Sequence, residues 1–148
     1  MYNSGKHKAG FTLIEVLIVI ALMAILVAIM LPVSVDYQKR NDLDVAQTTF
    51  VQGVRRAQQL SMGAEGDSQW GLVAISGGIV IFKGSTYSLR DATYDEVFDM
   101  SPAIVVTGQS EFDFAKTTGL PSQTGVVTLT NENYQETVSV NAKGIVNY

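Results

Sequence analysis

The chain has 148 residues, a formal net charge of −4 and 47% hydrophobic residues. Its mean hydropathy of +0.19 and isoelectric point near 4.8 argue against a plain soluble globule and against a general binder of nucleic acid. Without cysteine it offers no disulfide, no thiolate nucleophile and no cysteine-based metal site. Its one histidine, His7, stands in a short basic N-terminal segment whose removal would take away every imidazole. The lack of cysteine and of a retained histidine therefore disfavours catalysis. The length of the chain suits a single domain.

Most of the excess hydropathy lies in one apolar block, Phe11 to Val35. As a helix, this block is long enough to cross a hydrocarbon core of ~30 Å. The residues before it include Lys6 and Lys8 and no acid, which predicts a cytoplasmic N-terminus with the rest of the chain on the other side. Lys39 and Arg40 beyond the block weaken this orientation signal.

Two simpler interpretations of the block are a secretory signal peptide and a plain membrane anchor. A secretory signal would place small residues after its apolar core, whereas Ala24 and Ala28 lie inside it. The small residues Ala9 and Gly10 stand before the block instead. A plain anchor leaves Glu15 unexplained, because an acidic side chain in an apolar span costs free energy and usually marks a function.

The segment Lys8 to Glu15, KAGFTLIE, followed by an apolar helix, resembles the class III signal of type IV pilins and type II secretion pseudopilins. That signal combines a short basic leader, Gly before the cut, Phe after it and Glu as fifth residue of the mature chain. The resemblance implies that residues 1–10 are a leader and that prepilin peptidase cleaves between Gly10 and Phe11 on the cytoplasmic face. It also implies N-methylation of Phe11.

The position of Glu15 agrees with this resemblance on physical grounds. Cleavage would expose a cationic amine at Phe11, one helical turn from the Glu15 carboxylate and in apolar surroundings. An unpaired carboxylate is costly there, which makes the amine of a neighbouring subunit an attractive partner. The resemblance implies the same role, in which Glu15 guides a subunit into a growing filament. Residues 11–35 would then serve both as membrane span and as filament core.

The helical pattern continues beyond the apolar block but becomes amphipathic over residues 36–62. Apolar residues recur there at spacings of three and four, which predicts one long helix whose second half packs on a head domain. Pro32 can kink or locally melt this helix, since it lacks a backbone donor. Gly63 is expected to cap the C-terminal end. The apolar stripe consists of Leu43, Ala46, Phe50, Val54, Ala57 and Leu60.

Residues 69–148 change to a period of two, so the predicted fold is α+β and pilin-like, with the long helix against an antiparallel β-sheet head over 36–148. Ser76-Gly77-Gly78 is a hairpin signal, and Asn131–Asn133 and Ala142–Gly144 predict two later turns. The segment Tyr87–Met100 is interpreted as a loop or a short helical turn. The predicted strands are Gln69–Ile75, Ile79–Lys83, Ala103–Thr107, Glu111–Phe114, Val126–Thr130, Glu136–Asn141 and Ile145–Asn147.

The C-terminal third is also similar to the GspH/FimT group of minor pseudopilins and minor pilins. Members of that group pack a helix against a β-rich head, so the resemblance implies a minor subunit. It is carried by Glu111–Phe114, Gly119, Val126–Thr130, Thr137–Val140 and Gly144–Val146.

Signals for a ligand site in the head are weak. Asp95, Glu96 and Asp99 could indicate calcium, but they lack the dense oxygen-ligand pattern of a calcium loop, so a solvated loop is expected. Gly77-Gly78 and Gly63–Gly66 are turn glycines without the Lys-Ser/Thr of a P-loop. The sequence therefore predicts no metal and no cofactor.

Three classes of function remain open. The first is a structural subunit of a type II secretion pseudopilus or type IV pilus, anchored in the bacterial inner membrane with a periplasmic head. Its implied partners are prepilin peptidase, other pilin subunits and the inner-membrane assembly platform. The second is a DNA-uptake minor pilin of a competence system, which the single lysine and missing arginine of residues 141–148 disfavour. The third, a membrane-anchored hydrolase, would have to use carboxylates alone.

Overall fold

The computed structural model describes residues 10–148, apart from the side chains of residues 31–33. Most of the predicted leader therefore lies outside the described residues. One helix, α1 (Leu13–Met62), continues through Pro32, so the structure shows no melted segment at that residue. The chain divides into two compact units between Tyr37 and Gln38, and each unit contains part of α1. The predicted long helix, apolar in its first half, is confirmed.

The second unit combines the end of α1 with two antiparallel four-stranded sheets. Its strands are β1 (Trp70–Ile75), β2 (Gly78–Lys83), β3 (Asp91–Asp99), β4 (Val105–Gly108), β5 (Glu111–Phe114), β6 (Gly125–Asn131), β7 (Tyr134–Val140) and β8 (Val146–Asn147). Sheet one has the strand order β3-β2-β1-β5, and sheet two has the order β4-β6-β7-β8. Short 3-10 helices cover Glu65–Asp67 and Tyr87–Leu89. The predicted α+β class is therefore confirmed.

The two sheets meet where the chain passes from β4 to β5. Gly108 ends β4 with a φ of 90°, a left-handed conformation that favours glycine. A Cβ at this position would lie 2.3 Å from the carbonyl oxygen of Val126, so only glycine fits without a backbone shift. The next residue, Gln109, donates its backbone N–H to the same carbonyl at 3.0 Å. Gly108 thus allows the chain to leave sheet two and enter sheet one within two residues.

One hydrophobic core joins the second half of α1 to both sheets. The predicted helix stripe is confirmed, because five of its six members are buried and Leu60 is partly buried against them. Phe50 meets Phe112 of β5 edge to face, with 6.3 Å between ring centroids. Sheet two contributes Val127, Leu129, Val138 and Val140 to this core. Burial of these side chains is the main free-energy gain that holds helix and sheets together.

The strand β2 is buried on both faces. Ile79 and Ile81 belong to the core under α1, whereas Val80 and Phe82 form a second cluster on the opposite face. Tyr87 covers that cluster and meets Phe82 edge to face, with ring centroids 5.7 Å apart. This double burial explains why the β2 sequence is apolar almost throughout instead of alternating.

The prediction for Tyr87–Met100 is only partly right. A 3-10 turn does form at Tyr87–Leu89, but Asp91–Asp99 is a nine-residue strand, β3, and not a loop. Acidic residues are poor strand formers, which hid β3 from a sequence-based interpretation. The strand forms because it lies at the edge of sheet one, pairs with β2 and keeps its carboxylates exposed or ion-paired.

The predicted helix cap is wrong by one residue. Gly63 follows α1 directly, and its N–H donates to the carbonyl oxygen of Gln59 at 2.9 Å. The left-handed residue, however, is Ala64, with a φ of 48°. The remaining predicted strands and both later turns are confirmed, with differences of one or two residues at the strand ends.

Candidate functional site

The start of α1, from Leu13 to Met30, presents an exposed surface that is apolar except for Glu15. Every residue from Gly10 to Met30 is exposed in the structure. An 18-residue window of this helix has a mean hydropathy of 3.2 with none of it buried. Exposed apolar surfaces of this size mark contacts with a membrane or with another protein. The N-terminal helix is therefore consistent with membrane anchoring.

The predicted cleavage bond, between Gly10 and Phe11, lies in irregular backbone just before α1. A Cβ added to Gly10 would meet no other atom within 4 Å. The Phe11 side chain is 84% exposed. Both residues of the predicted cleavage bond are therefore exposed.

Thr12 fixes the start of α1. Its hydroxyl accepts a hydrogen bond from the backbone N–H of Glu15 at 3.3 Å, and its carbonyl oxygen accepts one from Val16 at 3.3 Å. Thr12 is thus the N-cap and Glu15 is the third helical residue, as in the Thr-x-x-Glu capping pattern. The sequence interpretation missed this role of Thr12, although the spacing Thr12-Leu13-Ile14-Glu15 is the signal that identifies it.

Glu15 therefore has a local role besides any role in assembly. An acidic side chain in the first turn interacts favourably with the helix dipole, by about 0.3–1 kcal/mol at exposed positions. This interaction makes a carboxylate less costly at position 15 than deeper in the apolar block. The structure thus provides a place where the chain can keep one negative charge at the edge of an apolar surface.

Phe11 and Glu15 lie on the same side of the N-terminal segment. Together with Val16, Val19 and Ile20 they line one shallow surface depression. Glu15, Val16, Val19 and Ile20 belong to α1, whereas Phe11 reaches the same depression from the irregular backbone just before the N-cap. The structure therefore brings together the residue predicted to be methylated and the acidic residue predicted to guide assembly, while Gly10 directly precedes them.

The acidic residues weighed as a calcium site do not converge. The Arg90 Nε lies 2.8 Å from Asp95 Oδ2, and Arg56 donates two hydrogen bonds to the Glu96 carboxylate at 2.5 and 2.7 Å. The hydrogen bonds from Arg56 hold the pKa of Glu96 below its ordinary value. Over residues 10–148, no three histidine, aspartate or glutamate side chains come together in a way that could hold a metal ion.

Comparison with known proteins gives one match. A family model described as the prokaryotic N-terminal methylation motif matches residues 5–31. The searches of curated proteins and of solved structures gave no match. The matched segment covers the predicted cleavage bond between Gly10 and Phe11, the residue predicted to be methylated and Glu15.

Proposed function

We propose that the chain is a structural subunit of a type II secretion pseudopilus or a type IV pilus, on the premise that its prepilin-type motif supports a place in the type IV pilin and pseudopilin family. The motif points to a structural subunit rather than an enzyme, and it implies contacts with prepilin peptidase and with other pilin subunits. One observation carries the proposal: the motif at residues 5–31 covers the start of an apolar helix whose residues from Leu13 to Met30 are all exposed.

Processing at a single bond is the first step of the proposed function. Residues 1–10 act as the leader, prepilin peptidase cleaves between Gly10 and Phe11, and the new amine of Phe11 is methylated. The irregular backbone before Thr12 and the open surroundings of Gly10 support cleavage at this bond. Cleavage leaves Thr12 in place, so the processed chain keeps the N-cap of α1.

Assembly through α1 is the second step. Residues 11–35 hold the subunit in the inner membrane and later form the filament core, while residues 36–148 form the head on the periplasmic side. Glu15 guides insertion by pairing with the Phe11 amine of a neighbouring subunit. The exposure of Phe11 and Glu15 in one surface depression supports this pairing, because both residues are accessible to a neighbouring subunit.

We assign the chain to the minor subunits, as a GspH/FimT-like pseudopilin or pilin. The support is the β-rich head, in which two antiparallel sheets share one core with the second half of α1. A DNA-uptake role is less well supported by the head, because residues 36–148 carry 8 basic and 13 acidic side chains. Of the basic side chains, Arg56, Arg90, Lys39 and Lys116 are already engaged in ion pairs with carboxylates.

Mass spectrometry of the mature N-terminus tests the proposal most directly. We expect a chain that starts at Phe11 and carries one added methyl group when it is purified from cells with active prepilin peptidase. Gly10→Val should leave the leader attached, because a branched side chain would now occupy the position before the cut. Gly5→Val, which makes the same change inside the leader, should be processed normally. An intact Met1 in the unaltered chain would overturn the proposal.

A further inference from the structure

Sheet two has one face that turns away from the core. Residues of β4, β6, β7 and β8 alternate between this outer face and the core, where Val127, Leu129, Val138 and Val146 are buried. The strand register aligns the outward residues into three rows across the sheet. The rows are Val105–Thr130–Gln135, Thr107–Thr128–Thr137 and Val126–Ser139–Asn147, and these nine residues are called the outer face below.

The outer face carries no charged side chain. All nine of its residues are threonine, serine, valine, glutamine or asparagine, and all are exposed or half-buried. Elsewhere the head carries 8 basic and 13 acidic side chains over residues 36–148. The one acidic residue within β7, Glu136, points to the other side and lies against Gln47 of α1. A four-stranded surface without charge is therefore a distinct feature of this acidic head.

The hydroxyl groups of the outer face are available for a partner. Thr107 makes a long hydrogen bond to the carbonyl oxygen of Thr128 at 3.4 Å. The hydroxyls of Thr128, Thr130, Thr137 and Ser139 make no hydrogen bond to any other described residue. A hydroxyl both donates and accepts, so a surface of hydroxyls is complementary to a copy of itself, which a surface of carboxylates is not.

We propose that the outer face packs against the outer face of a second copy of this chain. Two heads with a net charge of −5 repel one another wherever acidic surfaces meet. At the outer face they can approach without bringing like charges together and without desolvating a charge. The outer face has no side chain larger than glutamine, and stacked sheets usually lie about 10 Å apart.

The outer face is small, so the contact forms only where the local concentration of the chain is high. A rectangle seven residues long and four strands wide measures roughly 24 Å by 14 Å, so on the order of 350 Å² is an upper limit for the outer face, in which β4 and β8 are shorter. A stable pair of free proteins buries about 800 Å² on each partner, so the heads alone are too weakly held to form a lasting dimer. Copies anchored in one membrane by α1 have a high effective concentration, which makes a contact of this size sufficient. The inference thus rests only on the anchoring part of the proposed function.

Cross-linking through single cysteines tests the contact in the full chain within membranes. The chain has no cysteine, so each introduced thiol is the only one present. Thr128→Cys and Thr137→Cys place a thiol in the central row, and a short bifunctional thiol reagent should join two copies. Thr93→Cys, an exposed threonine of β3 in sheet one, is the matched control. We expect at least about tenfold more covalent dimer from the central row than from the control in membranes, and no such excess when the reagent is added after the chain has been diluted in detergent.

A second pair of variants separates the contact from chance collision. Adding Thr130→Glu to the Thr137→Cys chain puts a negative charge on both packed faces and should lower the dimer yield about fivefold or more. Adding Thr93→Glu instead should leave the yield unchanged. Equal yields from Thr137→Cys and Thr93→Cys would overturn the proposal, as would a product containing a different protein. The mass of the same chains shows whether the leader has been removed, which tests the proposed function. The yield of covalent dimer tests the contact, so the two failures can be told apart.

Discussion

Arg56 of α1 binds Glu96 of β3 through two parallel hydrogen bonds, from Nε at 2.5 Å and from Nη2 at 2.7 Å. The pair joins the helix to the edge strand of sheet one, 40 residues away in the chain. A two-pronged contact between a guanidinium and a carboxylate has more defined geometry than an ordinary surface ion pair. It gives the acidic edge strand a fixed connection to the helix that carries the anchor.

The Arg56–Glu96 pair makes head stability depend on acid pH. The hydrogen bonds from Arg56 lower the pKa of Glu96 in the folded chain, so its stabilisation is complete above the ordinary glutamate value of 4.5 and is lost as pH falls through the lowered pKa. Because both side chains are partly exposed, we expect a contribution of about 0.5–1 kcal/mol at neutral pH. Glu96→Gln should remove that contribution, so that the free energy of unfolding falls less steeply as the pH is lowered into the acid range.

Urea unfolding of the detergent-solubilised chain between pH 3 and 7 measures this effect. Trp70 is the only tryptophan and is buried, so its fluorescence reports unfolding of the head. Glu65→Gln is the matched control, since Glu65 is exposed and forms no ion pair with another described residue. A fall in the free energy of unfolding at acid pH that is the same in the Glu96→Gln chain and in the unaltered chain would contradict the assignment.

Gly53 lies where α1 comes close to sheet one, and a side chain there would displace neighbouring methyl groups. A Cβ there would lie 2.4 Å from Ile79 Cδ1 and 2.6 Å from Leu72 Cδ1. Alanine gains about 1 kcal/mol in helix propensity over glycine but overpacks a buried site, which costs about 1–3 kcal/mol. We therefore expect Gly53→Ala to lower the free energy of unfolding by on the order of 1 kcal/mol.

A double-mutant cycle identifies the clash behind that loss. Ile79→Val removes the Cδ1 methyl that the new Cβ would meet, at a cost of about 0.5–1.5 kcal/mol when made alone. Combined with Gly53→Ala, it should cost less than the sum of the two single changes by at least about 0.5 kcal/mol. Strict additivity in urea unfolding would show that the close approach of α1 does not constrain position 53.

Ala64 holds a backbone conformation that costs stability. With a φ of 48°, it lies in the left-handed region, where a side chain costs roughly 1–2 kcal/mol. Glycine avoids this cost, but it increases the conformational entropy of the unfolded chain, which lowers the free energy of unfolding by about 0.4–1 kcal/mol. Ala64→Gly should therefore raise the free energy of unfolding by about 0.5–1 kcal/mol. Ala103→Gly, at an exposed loop residue without positive φ, should lower it in the same urea experiment.

How much of this molecule can be predicted from sequence depends on whether the signal is local. The segment around Gly10, Phe11 and Glu15 is readable because its information lies within a few consecutive residues. The helix stripe is readable for the same reason, since positions such as Phe50 and Val54 repeat with the helical period. The capping hydroxyl of Thr12 is equally local, because Thr12 and Glu15 are only three residues apart in the chain.

Features that depend on distant pairing were not readable. The strand β3 looks like a loop because its sequence is acidic, and it becomes a strand only through its pairing with β2 and the Arg56–Glu96 contact. The outer face of sheet two likewise exists only in the register that places Thr107, Thr128 and Thr137 in one row. No window along the chain contains that row, because its members come from three strands.

The acidic residue of the anchor gives the most direct prediction about assembly. Glu15→Gln removes the negative charge but keeps the size of the side chain, so the chain should still insert in the membrane and be processed at the Gly10–Phe11 bond. Incorporation into filaments should fall about tenfold or more, because a buried amine without its carboxylate partner costs several kcal/mol. Asp36→Asn, an exposed acid of the same helix, is the charge-matched control and should assemble normally. The readout is the amount of the chain in sheared or cross-linked filament fractions relative to the membrane pool. Normal incorporation of the Glu15→Gln chain would rule out the proposed pairing and leave Glu15 with the first-turn role that the structure gives it.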